Sequence, residues 1–242
     1  MKKLMFGIGA ALLTGAVMAD VTSANIVGYS QNQLRQGATM LTPQFFAMEE
    51  GGMDIQALKP VGDSIDTEGG IYIQVLNRSG GEDEFYQWID WGGDETGWMD
   101  GDYAIVTDKK FVEGAGLWVT GVSAADNIQS AGQVGQADVT VALRVGATGC
   151  GNPFPVPMDL QSIYLTADEG VDIDTEGGIY IQVLNRSGGE DEFYQWIDWG
   201  GDETGWMDGD YAIVTGKEFA PGAGLWVTGA DGVYINFPAP EL

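Results

Sequence analysis

The segment WIDWGGDETGWMDGDY runs from Trp88 to Tyr103 and again from Trp196 to Tyr211, and it concentrates the side chains most able to do chemistry. Asp90, Asp94, Glu95, Asp100 and Asp102 in the first copy, with Asp198, Asp202, Glu203, Asp208 and Asp210 in the second, are oxygen donors of the kind Ca2+ gathers. The glycines between them let the backbone turn and bring several carboxylates together, so calcium is the one candidate cofactor. The competing reading is a solvated acidic loop, because the spacing is neither that of an EF-hand nor that of a nonapeptide calcium repeat. Interleaved with the acids are Trp91, Trp98, Trp199 and Trp206, the candidate ligand-binding rings. An exposed ring beside carboxylates is a flat apolar platform edged with hydrogen-bond acceptors, which suits a sugar ring. Trp98 and Trp206, inside the Gly- and Asp-rich loop, are expected at the surface; most other rings are expected in the core, since the chain has few leucines to fill it.

Catalysis is not expected. Paired carboxylates suit glycoside hydrolysis, but 36 acidic residues guarantee such pairs by chance. The chain has no histidine, so no serine has a histidine base to activate it, and zinc ligation of the ordinary type is excluded. Cys150 is the only cysteine, which rules out an internal disulfide. Laying LRQGATML (34–41) over LRVGATGC (143–150) puts Cys150 on Leu41, so a small buried hydrophobe is expected rather than a reactive thiol. Arg78 and Arg186 read as partners of neighbouring acids in a hairpin.

These residues are carried by a tandem repeat. Residues 65–121 recur 108 positions later as 173–229 without a gap, and 53 of 57 positions are identical. The front halves have diverged but align through LRQGAT with LRVGAT and MDIQAL (53–58) with MDLQSI (158–163). The expected organisation is a signal peptide over 1–19, β repeat unit 1 over 20–134 and β repeat unit 2 over 135–242. Glycine, 38 of 242 residues, clusters between aromatic and β-branched runs as turn punctuation. In the first unit strands are expected over 26–33, 39–46, 71–77, 85–91, 103–107, 117–121 and 127–131, and the second repeats them to end at 233–237. Alternation sets Ile71, Ile73 and Val75 against Tyr72, Gln74 and Leu76, and Leu117 and Val119 against Trp118. A single helical turn is expected at 54–58 and at 159–163. The fold class is therefore all-β: two tandem β-sandwich-like repeat domains, with partly open β-barrels as the alternative.

Lys2 and Lys3, an apolar run from Leu4 to Val17 and the Ala19–Asp20 junction form the expected signal peptide. Without it, eight basic residues face 36 acids, a net charge of −28 over 223 residues. Such a surface repels nucleic acid and anionic lipid, and no second stretch is long enough to insert the mature chain in a membrane. Secretion or display at the cell surface is expected, in a saline or calcium-containing exterior. Two functions follow: a non-enzymatic structural or interaction protein, by self-assembly or with another partner, or a carbohydrate-binding module pair acting on extracellular polysaccharide. SANIVGY at the expected mature start, LRVGATGCGNPFP, MDLQSI and FAPGAGLWVTG together resemble a class of bacterial secreted β-repeat proteins. The resemblance implies export and a β fold and supplies no catalytic residues. The first unit departs from it, with TPQFF for GNPFP and VEGAGLWV for APGAGLWV.

Overall fold

A computed structural model describes residues 27–35, 37–46, 52–62, 65, 70–75, 82–121, 123, 126–173, 178–184 and 190–241. The expected signal peptide, Leu76, Arg78 and Arg186 lie outside the described residues. Within them the chain is all-β and sandwich-like. No described helix is long and apolar enough to cross a membrane.

The strands of the first half are β1 (Val27–Gln33), β2 (Gly37–Leu41), β3 (Phe45–Phe46), β4 (Met53–Asp54), β5 (Lys59–Val61), β6 (Tyr72–Val75), β7 (Glu84–Asp90), β8 (Thr96–Met99), β9 (Lys110–Phe111), β10 (Leu117–Gly121) and β11 (Asn127–Val134). Those of the second are β12 (Val139–Ala142), β13 (Gly146–Gly151), β14 (Met158–Asp159), β15 (Tyr164–Ala167), β16 (Tyr180–Val183), β17 (Glu192–Asp198), β18 (Thr204–Met207), β19 (Glu218–Phe219), β20 (Gly224–Gly229) and β21 (Val233–Phe237). Two five-stranded sheets, ordered β2-β10-β6-β7-β8 and β13-β20-β16-β17-β18, carry the repeated sequence. A smaller sheet roofs each: β1, β3 and β5 pair with β11 in the first half, and β12-β21-β15 forms the roof in the second.

Period-two alternation builds the layers. Leu117 and Val119 are buried while Trp118 between them is half-buried, and Ile73 is buried between half-buried Tyr72 and Gln74. The buried apolar side chains collect in two clusters, one drawn from residues 34–134 and one from 139–237. Cys150 is wholly buried in the second of these, as expected from its alignment with Leu41.

The expected helical turns are one-turn 3-10 helices at Ile55–Ala57 and Leu160–Ser162. Asp54 and Asp159 cap them by accepting the N–H of Gln56 and Gln161, each at 2.7 Å. This capping positions the glutamines. Gln56 Nε2 donates to the carbonyls of Trp98 (2.8 Å) and Val106 (2.9 Å), and its Oε1 accepts the Trp98 N–H (3.0 Å). Gln161 does the same to Trp206 and Val214. The MDIQAL and MDLQSI segments are thus clamps on β8 and β18.

The halves touch each other reciprocally. Leu41 bridges to Ala223, and its counterpart Cys150 bridges to Ala115, the counterpart of Ala223. Trp118 meets its own counterpart, Trp226, edge to face with centroids 6.1 Å apart. Such i-to-j and j-to-i contacts are the signature of a two-fold relation. Glycine makes the approach possible: a Cβ on Gly224 would strike Met40, and one on Gly116 would strike the backbone at Gly149 and Cys150.

Candidate functional site

The repeated acidic-aromatic segment folds as strand, 3-10 turn, strand and tight turn. β7 ends at Asp90, residues Gly93–Glu95 form the 3-10 turn, and β8 returns antiparallel with Trp88 opposite Trp98 and Asp90 opposite Thr96. Sequence alone gave no strand at Thr96–Met99. Its register turns Trp98 inward, and this corrects the expectation that Trp98 and Trp206 lie at the surface: both are 0% exposed. Each indole N–H is satisfied internally, donating at 2.7 Å to the carbonyl of Leu58 or Ile163. Each ring packs edge to face on Trp88 or Trp196 at 5.5 and 5.3 Å. They are core residues and cannot meet a ligand.

Trp91 and Trp199, the other two candidate rings, are 48% and 47% exposed. Each is stacked on a tyrosine: Trp91 on Tyr103 at 6.1 Å and 20°, Trp199 on Tyr211 at 6.0 Å and 18°. The tyrosines are 57% and 55% exposed. Residues 103–107, expected as a strand, instead open with a turn, and only Ile105 makes a bridge, to Met99. Asp100 forces that turn. Its Oδ1 accepts the N–H groups of Asp102 and Ala104 at 3.0 Å, and its carbonyl accepts that of Tyr103 at 3.1 Å. Tyr103 is left with φ 62°, as is Tyr211, and they are the described non-glycine residues with positive φ. A tyrosine in this conformation costs about 1 kcal/mol or more relative to glycine. The same strained tyrosine recurs at Tyr211 within the duplicated segment. Sequence reasoning had placed Tyr103 in a strand; the Asp-Gly-Asp run before it is the signal for the turn.

The carboxylates do not converge. Asp90 Oδ1 accepts the Gly92 N–H (3.1 Å) and the Thr96 hydroxyl (2.6 Å), pinning the hairpin loop, and Asp198 pairs with Gly200 and Thr204 in the same way. Asp100 and Asp208 are spent on their turns. Asp94, Glu95 and Asp102 are exposed in the first copy, as are Glu203 and Asp210 in the second; the side chain of Asp202 lies outside the described residues. Among the described residues no three carboxylates come close enough to hold a metal ion. The calcium candidates Asp90, Asp100, Asp198 and Asp208 are therefore caps of the polypeptide's own N–H groups, not a ligand cage.

Each half also carries a lysine-centred cluster. Lys109 pairs with Glu84 and Lys217 with Glu192, and Tyr86 and Tyr194 donate to the same glutamates at 2.8 and 2.7 Å. Burial, helped by the adjacent glutamate, pushes both tyrosine hydroxyls well above their ordinary value. Beside Lys217, where the halves meet, a cleft of about 250 Å3 is lined by Arg35, Met40, Glu192 and Phe219 among others. No protein-family model, curated protein or solved structure matches this chain.

Proposed function

We propose that the chain is a non-enzymatic, exported interaction protein: two tandem β-sandwich domains, each presenting one aromatic corner, Trp91–Tyr103 or Trp199–Tyr211. The observation that carries this reading is the pair of stacked, half-exposed rings held by a tyrosine in the left-handed region, repeated in both copies. A non-glycine residue held at positive φ is the kind of local strain that clusters at functional sites, and it supports this reading. Without histidine no serine has a histidine base to activate it, and the repeated carboxylates are largely held by their own turns, which supports a non-enzymatic reading. Extracellular polysaccharide is the ligand class these corners favour, because one face of each ring is free of its partner and acidic acceptors flank it. Two weak corners on one chain gain on a repetitive polymer through effective concentration.

Tyr103→Gly together with Tyr211→Gly tests this directly. Glycine suits φ near 62°, so the melting temperature is unchanged or slightly raised. Retardation in native gels containing soluble polysaccharide falls by about tenfold or more. A variant retarded as strongly as the parent removes the corners from the binding surface.

A further inference from the structure

The five-stranded sheets have an outer face that none of the corners uses. In the first half the outward positions of the three central strands β6, β7 and β10 include Tyr72, Gln74, Phe85, Gln87, Trp118 and Thr120, set opposite one another by register, while Ile89, next along β7 on the same side, is buried. None of the six is buried and none is charged. The same six residue types recur 108 positions later on β16, β17 and β20, again without a buried or charged member. This is a segregated composition in a chain with 36 acids and 10 basic residues. Phe85 and Phe193 are 53% and 57% exposed, and Tyr72 leans on Phe85 at 5.2 Å.

The two faces join. Trp118 lies opposite Gln74, which lies opposite Phe85, and Trp226, Gln182 and Phe193 repeat the row. The Trp118–Trp226 contact links the rows across the two-fold relation between the halves. Within a row the two rings stand two strands apart, about 10 Å at the usual strand spacing. The amide between them is oriented, since Gln74 Nε2 donates to Asp83 Oδ2 and Gln182 Nε2 to Asp191 Oδ2, both at 3.0 Å.

The geometry points to a binding surface for an extended, uncharged polysaccharide, running along Phe85–Gln74–Trp118 and on through Trp226–Gln182–Phe193. Rings two strands apart match a polymer that offers an apolar sugar face at regular intervals, and the amides and hydroxyls between them match its hydroxyl groups. Charge selects the neutral polymer: a net −26 repels polyanions, and the charged groups bonded to the rows, Asp83 and Asp191, are anionic. Ring stacking tolerates reversal of chain direction, so one polymer can use both halves despite their two-fold arrangement. The surface shares no residue with the Trp91–Tyr103 and Trp199–Tyr211 corners, so either reading can fail alone.

The test is affinity electrophoresis of the full chain in hydroxyethyl cellulose, galactomannan and alginate. Retardation is expected in at least one neutral polymer and not in alginate. Phe85→Ala with Phe193→Ala, exposed changes that leave the melting temperature in place, weakens it about tenfold or more, as does Trp118→Ala with Trp226→Ala. No retardation in either neutral polymer overturns the inference, as does undiminished retardation of the phenylalanine variant. Loss confined to Tyr103→Gly with Tyr211→Gly also overturns it while leaving the corner reading standing. A dimer seen by sedimentation and abolished by Phe85→Ala with Phe193→Ala assigns the face to a second copy of the chain instead.

Discussion

Residues 126–130 and 233–237 occupy the same place in the two halves, yet their inward side chains differ in kind. Leu34 donates to the Asp126 carbonyl as Leu143 does to that of Val233, both at 2.8 Å, and Ser30 faces Ser130 where Val139 faces Phe237. The second half therefore roofs its sheet with Val139, Val141, Val233, Ile235 and Phe237, all buried. In the first half the corresponding layer keeps one apolar residue, Ile128 at the place of Ile235, but otherwise holds Ser30, Asn32, Asp126 and Ser130, with Gln44 beside it. Its polar groups are only partly matched: Ser30 and Ser130 share a hydrogen bond of 2.9 Å, but Asp126 Oδ1 and Thr42 Oγ1 are buried with no partner. A cavity of about 10 Å3 lies against Asn32, Thr42 and Ser130. Nearly identical sheets thus fold under a polar roof and an apolar one. The sheet specifies the architecture, and the roof sets how firmly each half is held. Amide hydrogen exchange should accordingly be faster in β11 than in β21.

The largest effect comes from erasing the difference at its apolar end. Phe237 is 0% exposed and fills the place Ser130 takes in the first half. Phe237→Ser removes a buried ring and leaves an unpartnered hydroxyl, at a cost of about 4 kcal/mol. Chemical denaturation reads this as a lower midpoint, with exchange in β21 rising to match or pass that in β11. A loss below about 1 kcal/mol would mean that the apolar roof contributes little and that the contrast is superficial.

The reverse exchange is smaller and of opposite sign. Asp126 is wholly buried, and while its Oδ2 accepts the Ser123 N–H at 2.9 Å, its Oδ1 has no partner. Asp126→Val installs the residue found at the matching place in the second half, removes the unsatisfied oxygen and raises stability by about 1–3 kcal/mol. Denaturant midpoint and slope together report it. A destabilised variant would show that the Ser123 hydrogen bond outweighs the orphan oxygen, and that the polar roof is better built than its inventory suggests.

Local signals were legible and non-local ones were not. Alternation in Leu117–Gly121 and the single helical turn at 54–58 needed only neighbouring residues, and both expectations match the structure. Trp98 was misread because TGWM is a four-residue strand containing glycine, directly after a glycine-rich turn. Its inward face is decided by register with Trp88 and by a glutamine 42 positions away. Of the candidate rings, Trp91 and Trp199 were recoverable from composition, but the tyrosines that stack on them were hidden by a turn whose cause is one carboxylate oxygen. The meeting of Trp118 with Trp226 depends on contacts 108 residues apart, and no sequence pattern encodes it.

The smallest effect checks the part of the comparison in which the halves agree. Burial alone would push the Glu84 carboxyl up, but hydrogen bonds from Lys109 and Tyr86 outweigh it and hold the group below its ordinary value. The Lys217 hydrogen bond leads the same lowering at Glu192, against burial and with Tyr194 assisting. A carboxyl with a folded value below its unfolded one, about 4.3, contributes stability that is present above that pH and lost as the pH falls through the folded value. The glutamate side chains are 41% and 43% exposed, so solvent limits each pair to a few tenths of a kcal/mol. Lys109→Met and Lys217→Met should therefore each lower stability slightly at pH 7, and the deficit should vanish toward pH 3, with denaturant midpoints taken at matched ionic strength. The two deficits should be close, because each lysine pairs with the matching glutamate, with Lys217 also lying over the Tyr194 ring. A deficit that persists at low pH would assign the lysines a packing role over Phe111 and Phe219, and unequal deficits would extend the asymmetry from the roofs into the sheets.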